Sequence, residues 1–208
     1  MKKSFQHITM STLAAAAVVS ALSACAPLMV GGAVMTGMVA VDRRTSGTQL
    51  EDEGIELRTA QGMRQNLGEN SHVNVTSYNR QVLLTGEVAT SADKDKADKV
   101  AQSQENVKAV ANELSVQPVS SLTQRSKDTI ISGQIKALFI DAKDLQSNAF
   151  KVVTERGVVY LMGRVTSREA QRATDIARTV SGVTKVVRVL DIISEEELKR
   201  LSAQTSSR

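Results

Sequence analysis

Few side chains in this sequence have the chemistry of a nucleophile or a transition-metal ligand. The 208 residues include one cysteine, Cys25, and two histidines, His7 and His72. A single cysteine cannot form a disulfide within the chain. Because His7 lies in the predicted signal segment, His72 is the only histidine expected in the mature chain, which argues against a His/Cys zinc site. We interpret His72 as an ordinary solvated residue at the edge of a strand, and we expect no metal and no cofactor.

The sequence motifs of the common enzyme classes are also absent. No Gly-x-Ser-x-Gly elbow, phosphate-binding loop, dinucleotide fingerprint, HExxH or CxxC occurs in the chain. The acidic run Glu51-Asp52-Glu53 suits the first turn of a helix, where carboxylates complement the helix dipole. Asp93-Lys94-Asp95 suits the start of another helix. Because neither run needs a catalytic role, we predict that the protein is not an enzyme.

The residues around Cys25 predict lipid attachment. Lys2 and Lys3 precede a short apolar run over residues 13–22, which is the order of a secretory signal. Leu22-Ser23-Ala24-Cys25 resembles the lipobox of bacterial lipoproteins, in which the cysteine is lipidated and becomes the first residue. We therefore expect a signal peptide over residues 1–24 and lipidation at Cys25. An ordinary secretory signal, or an uncleaved anchor that contains a cysteine, remains the alternative.

The apolar segment after Cys25 predicts a tether. Residues 26–41 read APLMVGGAVMTGMVAV, which is shorter than the roughly 20 residues that a membrane-spanning helix needs. We predict a flexible tether over residues 25–48, with a second membrane contact or a partner-docking segment as the alternative. Position 26 is Ala rather than the Asp that retains enterobacterial lipoproteins in the inner membrane, so we expect the outer membrane, facing the periplasm.

The chain contains an internal repeat. Residues 82–88 align with residues 159–165 at an offset of 77, and after one inserted residue near Ala89 the offset is 76 as far as Leu114 and Leu190. Apolar and glycine positions match along this register, which indicates two copies of one domain. We predict domains over residues 49–118 and 125–193, a linker over 119–124, and a tail or short helix over 194–208.

Each copy has the same predicted order of helix, hairpin, helix and strand. The predicted helices cover residues 51–67 and 92–104 in copy one, and 127–140 and 168–180 in copy two. Hairpins turn at residues 79–80 and 156–157, and a third strand ends each copy. Gly86 and Gly163 lie late in a strand, where glycine marks a bulge or a close backbone approach. The sequence thus predicts an α+β fold in which two helices cover one apolar face of a three-stranded sheet.

This αββαβ repeat resembles the BON domain of bacterial envelope proteins. Val-x-Leu-x-Gly-x-Val occurs at residues 82–88 and 159–165, and Gly-Val-x-x-Val at residues 182–186, although copy one has Asn106 where copy two has Gly182. Together with the lipobox and tether, the two copies are similar to the dual-BON outer-membrane lipoproteins associated with cell division and outer-membrane integrity. The resemblance implies binding of anionic phospholipid by the second domain, with its first helix at the lipid surface.

The two copies carry opposite net charge. Residues 49–118 include 7 basic and 11 acidic side chains, whereas residues 125–193 include 12 basic and 7 acidic ones. Copy two therefore suits an anionic membrane surface, where each basic residue contributes about 1 kcal/mol, while copy one suits a basic partner or helps to dock copy two. A basic domain also suits nucleic acid, but the lipoprotein signal and the few aromatic side chains argue against that partner.

The first helix of copy two supplies the predicted lipid contacts. Basic residues beside exposed branched apolar side chains suit an interfacial contact. Ile131, Ile135 and Leu138 share the face expected to cover the sheet, so Ile130 is the better candidate for lipid contact. The predicted phospholipid-binding set is Lys127, Ile130, Ile131, Gly133 and Lys136. The alternative function is a scaffold that docks an envelope assembly or cell-wall remodelling machinery, with lipid contact incidental.

Overall fold

A computed structural model of the chain describes residues 42–206. The predicted signal peptide, Cys25 and the tether as far as Val41 lie outside these residues. Within residues 42–206, every helix is too short or too polar to cross a membrane.

The predicted order of elements is confirmed in both copies. Copy one consists of α1 (Ser46–Asn66), β1 (His72–Tyr78), β2 (Gln81–Val88), α2 (Ser91–Gln102), β3 (Ala109–Asn112) and β4 (Ser115–Val116). Copy two consists of α3 (Leu122–Asp141), β5 (Phe150–Glu155), β6 (Val158–Val165), α4 (Ser167–Thr179) and β7 (Lys185–Ile192), with a 3-10 turn at Ser147–Ala149. A terminal helix, α5 (Glu195–Ser206), follows.

Side-chain caps set where the first helix of each copy begins. The Thr45 hydroxyl accepts a hydrogen bond from the Thr48 N–H, and the Ser121 hydroxyl accepts one from the Gln124 N–H. Such caps satisfy donors that the first helical turn leaves unpaired. Both helices consequently begin five residues before the predicted start, and α3 begins inside the predicted linker.

Each sheet has the second strand of its hairpin at the centre. Strand β2 pairs antiparallel with β1 and parallel with β3 and β4, and β6 pairs antiparallel with β5 and parallel with β7. The last strand is continuous in copy two but interrupted in copy one. The reason is Asn112, whose side chain accepts a hydrogen bond from the Leu114 N–H and donates one to the Lys94 carbonyl.

Both faces of each sheet are buried, whereas the sequence predicted one apolar face. The inner faces pack on their own helices, around Ile55, Leu84 and Val88 in copy one and around Ile135, Phe139 and Leu161 in copy two. The opposite faces meet in a shared core that contains Tyr78, Leu83, Tyr160, Met162 and Val189. The run of buried side chains along β2 follows from this double coverage, because strands buried on both faces do not alternate.

A buried aspartate on the first helix fixes the hairpin turn in each copy. Asp52 accepts hydrogen bonds from the backbone N–H groups of Asn79 and Arg80 at 2.8 and 2.7 Å. Asp128, 76 residues later, accepts them from the N–H groups at residues 156 and 157, at 2.9 and 2.8 Å. Both turns have positive φ angles, as two-residue hairpin loops require. The sequence interpretation of Asp52 as a helix-dipole residue missed this role.

The predicted close approach at the strand glycines is confirmed. Gly86 has φ +112°, and a Cβ there would lie 2.0 Å from the His72 carbonyl oxygen. We expect Gly86→Ala to lower the free energy of unfolding by about 2–3 kcal/mol, because the side chain strains the backbone. Gly133→Ala is the matched control, because a Cβ at this position would meet nothing within 4 Å. Replacing glycine by alanine at an exposed helical site raises the free energy of unfolding by about 0.5–1 kcal/mol. Urea unfolding measures both changes, and equal values would contradict the assignment.

Candidate lipid-contact face

The outer face of α3 is an exposed apolar stripe. Leu122, Ile130 and Ile140 are exposed, and so are Gly133 and Ala137 between them. At about 100° per residue, these five positions lie within one quarter of the helix circumference. The buried residues of α3, Ile131, Ile135 and Phe139 among them, occupy the opposite side. We call the five exposed positions the α3 face.

Two lysines border the α3 face on either side. The side chains of Lys127 and Lys136 are exposed, and among residues 42–206 neither has a hydrogen-bond or ion-pair partner. Their ammonium groups are therefore available to an external anion. An apolar helix face between cationic side chains is the arrangement of interfacial membrane helices.

Of the five residues predicted to bind phospholipid, four are exposed and one is buried. Lys127, Ile130, Gly133 and Lys136 are exposed, and Ile130 is 60% exposed. Ile131 is only 7% exposed and packs in the core of copy two, as its position on the inner side of the helix requires. The prediction for Leu138 was wrong in part, because this side chain lies at the edge of the buried arc and is partly exposed.

Sequence reasoning missed Leu122, Ala137 and Ile140. Leu122 had been placed in the linker, and Ile140 at the end of the predicted helix. The i+3 and i+4 steps from Ile130 to Gly133, Ala137 and Ile140 would have revealed the stripe. Recognising Ser121 as the helix cap would have extended the predicted helix, and with it the stripe, back to Leu122.

The equivalent helix of copy one does not have this face. Positions 76 residues earlier carry Gly54 in place of Ile130, Arg64 in place of Ile140 and Glu51 in place of Lys127. Glu51 is paired with Arg58 at 3.0 Å. Two leucines, Leu50 and Leu57, are exposed on α1, but Glu53 stands between them on the same side of the helix. The apolar stripe with free lysines is therefore specific to copy two.

A groove at the end of α3 connects the α3 face with the start of the described chain. It has a volume of about 440 Å³ and is lined by Asp42, Arg44, Lys136, Ile140 and Phe150, among others. Asp42 is the first described residue. The chain that leads back towards Cys25 thus begins beside the C-terminal end of the α3 face.

Two arginines that follow Asp42 hold the domains together. Arg43 donates to both carboxylate oxygens of Glu169 in copy two, at 2.7 and 2.9 Å, and the two side chains are 7% and 4% exposed. Arg44 donates to Asp52 in copy one at 2.8 Å and lies over the Tyr78 ring at 4.2 Å. The predicted tether boundary at residue 48 is thus placed inside the folded region, because residues 43–44 already contact both copies.

The electrostatics at Glu169 depend on Arg43. Burial raises the pKa of Glu169, but the Arg43 guanidinium and the Thr166 N–H together lower it below its ordinary value of 4.5. The carboxylate also completes a capping box at the start of α4, since it accepts a hydrogen bond from the Thr166 N–H. One charged pair therefore links the start of α1 to the cap of α4.

The prediction for His72 was wrong. His72 lies at the interface of the two copies with its side chain 18% exposed, and Nδ1 is 3.0 Å from Glu87 Oε2. Glu87 is fully buried and also accepts a hydrogen bond from Arg156 of copy two. An isolated histidine in a strand pattern does not reveal such partners, because they come from a neighbouring strand and from the other domain.

Comparison with known proteins identifies the domain type. A family model of the BON domain matches residues 51–118 and 127–194. The chain is 39% identical over 171 residues to the outer membrane lipoprotein DolP of Haemophilus influenzae, which covers 81% of this chain and 88% of that protein. It is 34% identical over 155 residues to a 21 kDa hemolysin of Actinobacillus pleuropneumoniae, covering 74% and 80% of the two chains. The osmotically-inducible protein Y of Escherichia coli is 34% identical over 117 residues, with 55% and 58% covered.

Proposed function

The chain belongs to the BON-domain family, and from that premise we propose that it is a periplasm-facing outer-membrane lipoprotein that binds anionic phospholipid through its second domain. In this role it supports the integrity of the outer membrane. The similarity to an outer membrane lipoprotein over most of both chains supports the location. The α3 face, with its two unpaired lysines, is the observation that carries lipid binding.

The chemistry of the α3 face suits a weak, reversible contact. Ile130, Ile140 and Leu122 enter the boundary between headgroups and acyl chains, where each gains part of the roughly 1.5–3 kcal/mol that full burial of such a side chain provides. Lys127 and Lys136 meet lipid phosphates, at about 1 kcal/mol each. These terms suit a domain that touches a bilayer beside a lipid anchor.

The position of Asp42 allows the lipid anchor at Cys25 and the α3 face to contact the same membrane. Sixteen residues lie between Cys25 and Asp42, and an extended chain of that length reaches at most about 60 Å. Asp42 lines the groove beside Lys136 and Ile140, so the α3 face lies close to where the anchored segment joins the domains. The second contact then selects where on the membrane the protein sits, since the acyl chains already keep it there.

Charge dependence is the direct test of the lipid partner. We expect the chain from residue 25, with Cys25→Ser to remove acylation, to bind phosphatidylglycerol or cardiolipin vesicles and to bind phosphatidylcholine vesicles far more weakly. Lys127→Gln with Lys136→Gln removes about 2 kcal/mol of attraction, which is about a 30-fold loss of partitioning in co-sedimentation. Lys96→Gln with Lys99→Gln on α2 changes the net charge equally and leaves binding intact. Equal binding to both vesicle types would overturn the proposal.

A protein-docking scaffold is the second candidate function. The exposed Leu50 and Leu57 on α1, with Glu53 between them, favour it because a carboxylate within an apolar helix face suits a basic protein surface rather than an anionic membrane. Crosslinking in cells distinguishes the two functions. One stoichiometric protein partner, captured equally well after Ile130→Glu, would favour the scaffold.

A further inference from the structure

One histidine and two carboxylates converge where the two domains meet. His72 on β1 and Glu87 on β2 are direct cross-strand partners, and Glu155 ends β5 of copy two. One ligand atom from each of the three side chains lies within 4.8 Å of the other two. Glu87 is fully buried and Glu155 is 8% exposed, whereas the partly exposed His72 ring leaves a route from solvent.

The cluster has more negative than positive charge. Among residues 42–206, Arg156 is the one permanent cation that hydrogen-bonds either carboxylate. Its Nε donates to Glu87 Oε1 at 2.5 Å, while Glu155 accepts a hydrogen bond from the neutral amide of Asn74 at 3.0 Å. Buried carboxylates are stable only when opposite charge balances them, so a cation among these three side chains is stabilised.

We propose that His72, Glu87 and Glu155 bind one divalent transition-metal ion, with zinc as the best match. Imidazole with carboxylates is a ligand set that zinc accepts, and water completes its four positions. Calcium and magnesium prefer oxygen ligands alone. Ligands of a tetrahedral zinc ion lie about 3.3 Å apart, so small side-chain rotations bring these atoms within range.

The hydrogen bonds around the cluster suit this role. Arg156 engages Glu87 Oε1 and leaves Oε2 facing His72, with a further contact from the Ser120 hydroxyl at 3.3 Å. Asn74 holds Glu155 from the other side. Such outer partners orient metal ligands. Because the ligands come from both copies, the bound ion would lock the two domains to one another, independently of lipid binding.

The test uses the chain from residue 25 with Cys25→Ser, which removes the only thiol and leaves His72 as the only histidine. Zinc chloride is added at pH 7.5. We expect one zinc ion per chain by calorimetry, a shift of the His72 Nδ1 resonance that EDTA reverses, and a higher Tm. His72→Gln and Glu155→Gln each weaken zinc binding at least tenfold, whereas Glu105→Gln, at an exposed position, does not.

Three results would overturn the proposal. The first is no zinc binding at about 100 µM added metal, since a specific site binds more tightly than that. The second is binding that leaves the His72 nitrogen resonances unchanged. The third is binding retained in both ligand variants, which would place the ion elsewhere, such as on the acidic first turn of α5. The resonance of the unmutated chain decides the question even if a variant fails to fold.

Discussion

Ile130→Glu is expected to abolish binding to anionic vesicles while leaving the fold intact. Ile130 is 60% exposed at the middle of the α3 face, so the change costs the fold little. It removes the apolar side chain at the middle of the stripe, and it adds a carboxylate that the anionic surface repels. Losing about 2 kcal/mol of apolar transfer and gaining about 1 kcal/mol of repulsion predicts a partition coefficient about 100-fold lower.

Leu57→Glu is the matched control for Ile130→Glu. Leu57 is 73% exposed on the corresponding helix of copy one, and the substitution makes the same chemical change to the protein's net charge and apolar surface. We expect unchanged vesicle binding in co-sedimentation. Binding that survives Ile130→Glu, or that falls equally in both variants, would show that the α3 face is not the lipid contact.

These measurements need the whole chain rather than the second domain alone. Tyr160, Met162 and Val189 of copy two pack against Tyr78 and Leu83 of copy one. A separate second domain would expose that apolar face to solvent, where it would itself adhere to vesicles or aggregate. Substitutions on the surface of the intact pair avoid this artefact.

Arg43→Ala is expected to lower the free energy of unfolding by about 3–5 kcal/mol, since it leaves the buried Glu169 carboxylate without its partner. That is a large share of the roughly 5–15 kcal/mol that stabilises a typical domain. Arg58→Ala provides the control. Its ion pair with Glu51 is a contact at 3.0 Å between side chains that are 43% and 34% exposed, so about 0–1 kcal/mol is expected. Urea unfolding measures both variants.

The pH dependence of the Arg43 effect follows from Glu169. Its pKa lies below 4.5 in the folded protein, so its contribution to stability is present above that value and is lost as pH falls through the folded pKa. Without Arg43, burial still raises the pKa of Glu169, and only the hydrogen bonds from Thr166 oppose that effect. The stability difference between the two proteins should therefore shrink below about pH 4.5. A second change, Glu169→Gln in the Arg43→Ala background, should restore part of the loss by removing the unpaired charge.

Local patterns in the sequence determined the elements of this protein. Helical and alternating periodicities depend on residues a few positions apart. The repeated Val-x-Leu-x-Gly-x-Val segments indicated the hairpins and the αββαβ order of both copies. Gly86 was recognisable because only glycine tolerates the backbone approach at that strand. The lipid anchor at Cys25 rests on the same kind of local pattern and stays a prediction.

Only the tertiary structure decided which residues meet across the two domains. Arg43 and Glu169 are 126 positions apart, and Glu155 and Asn74 are 81 apart. Nothing in local spacing links such pairs, because their contact depends on how one sheet packs against the other. The same packing places His72 beside carboxylates and leaves the α3 face uncovered. The residues that could do chemistry were visible in the sequence from the start, but their partners were set by the fold.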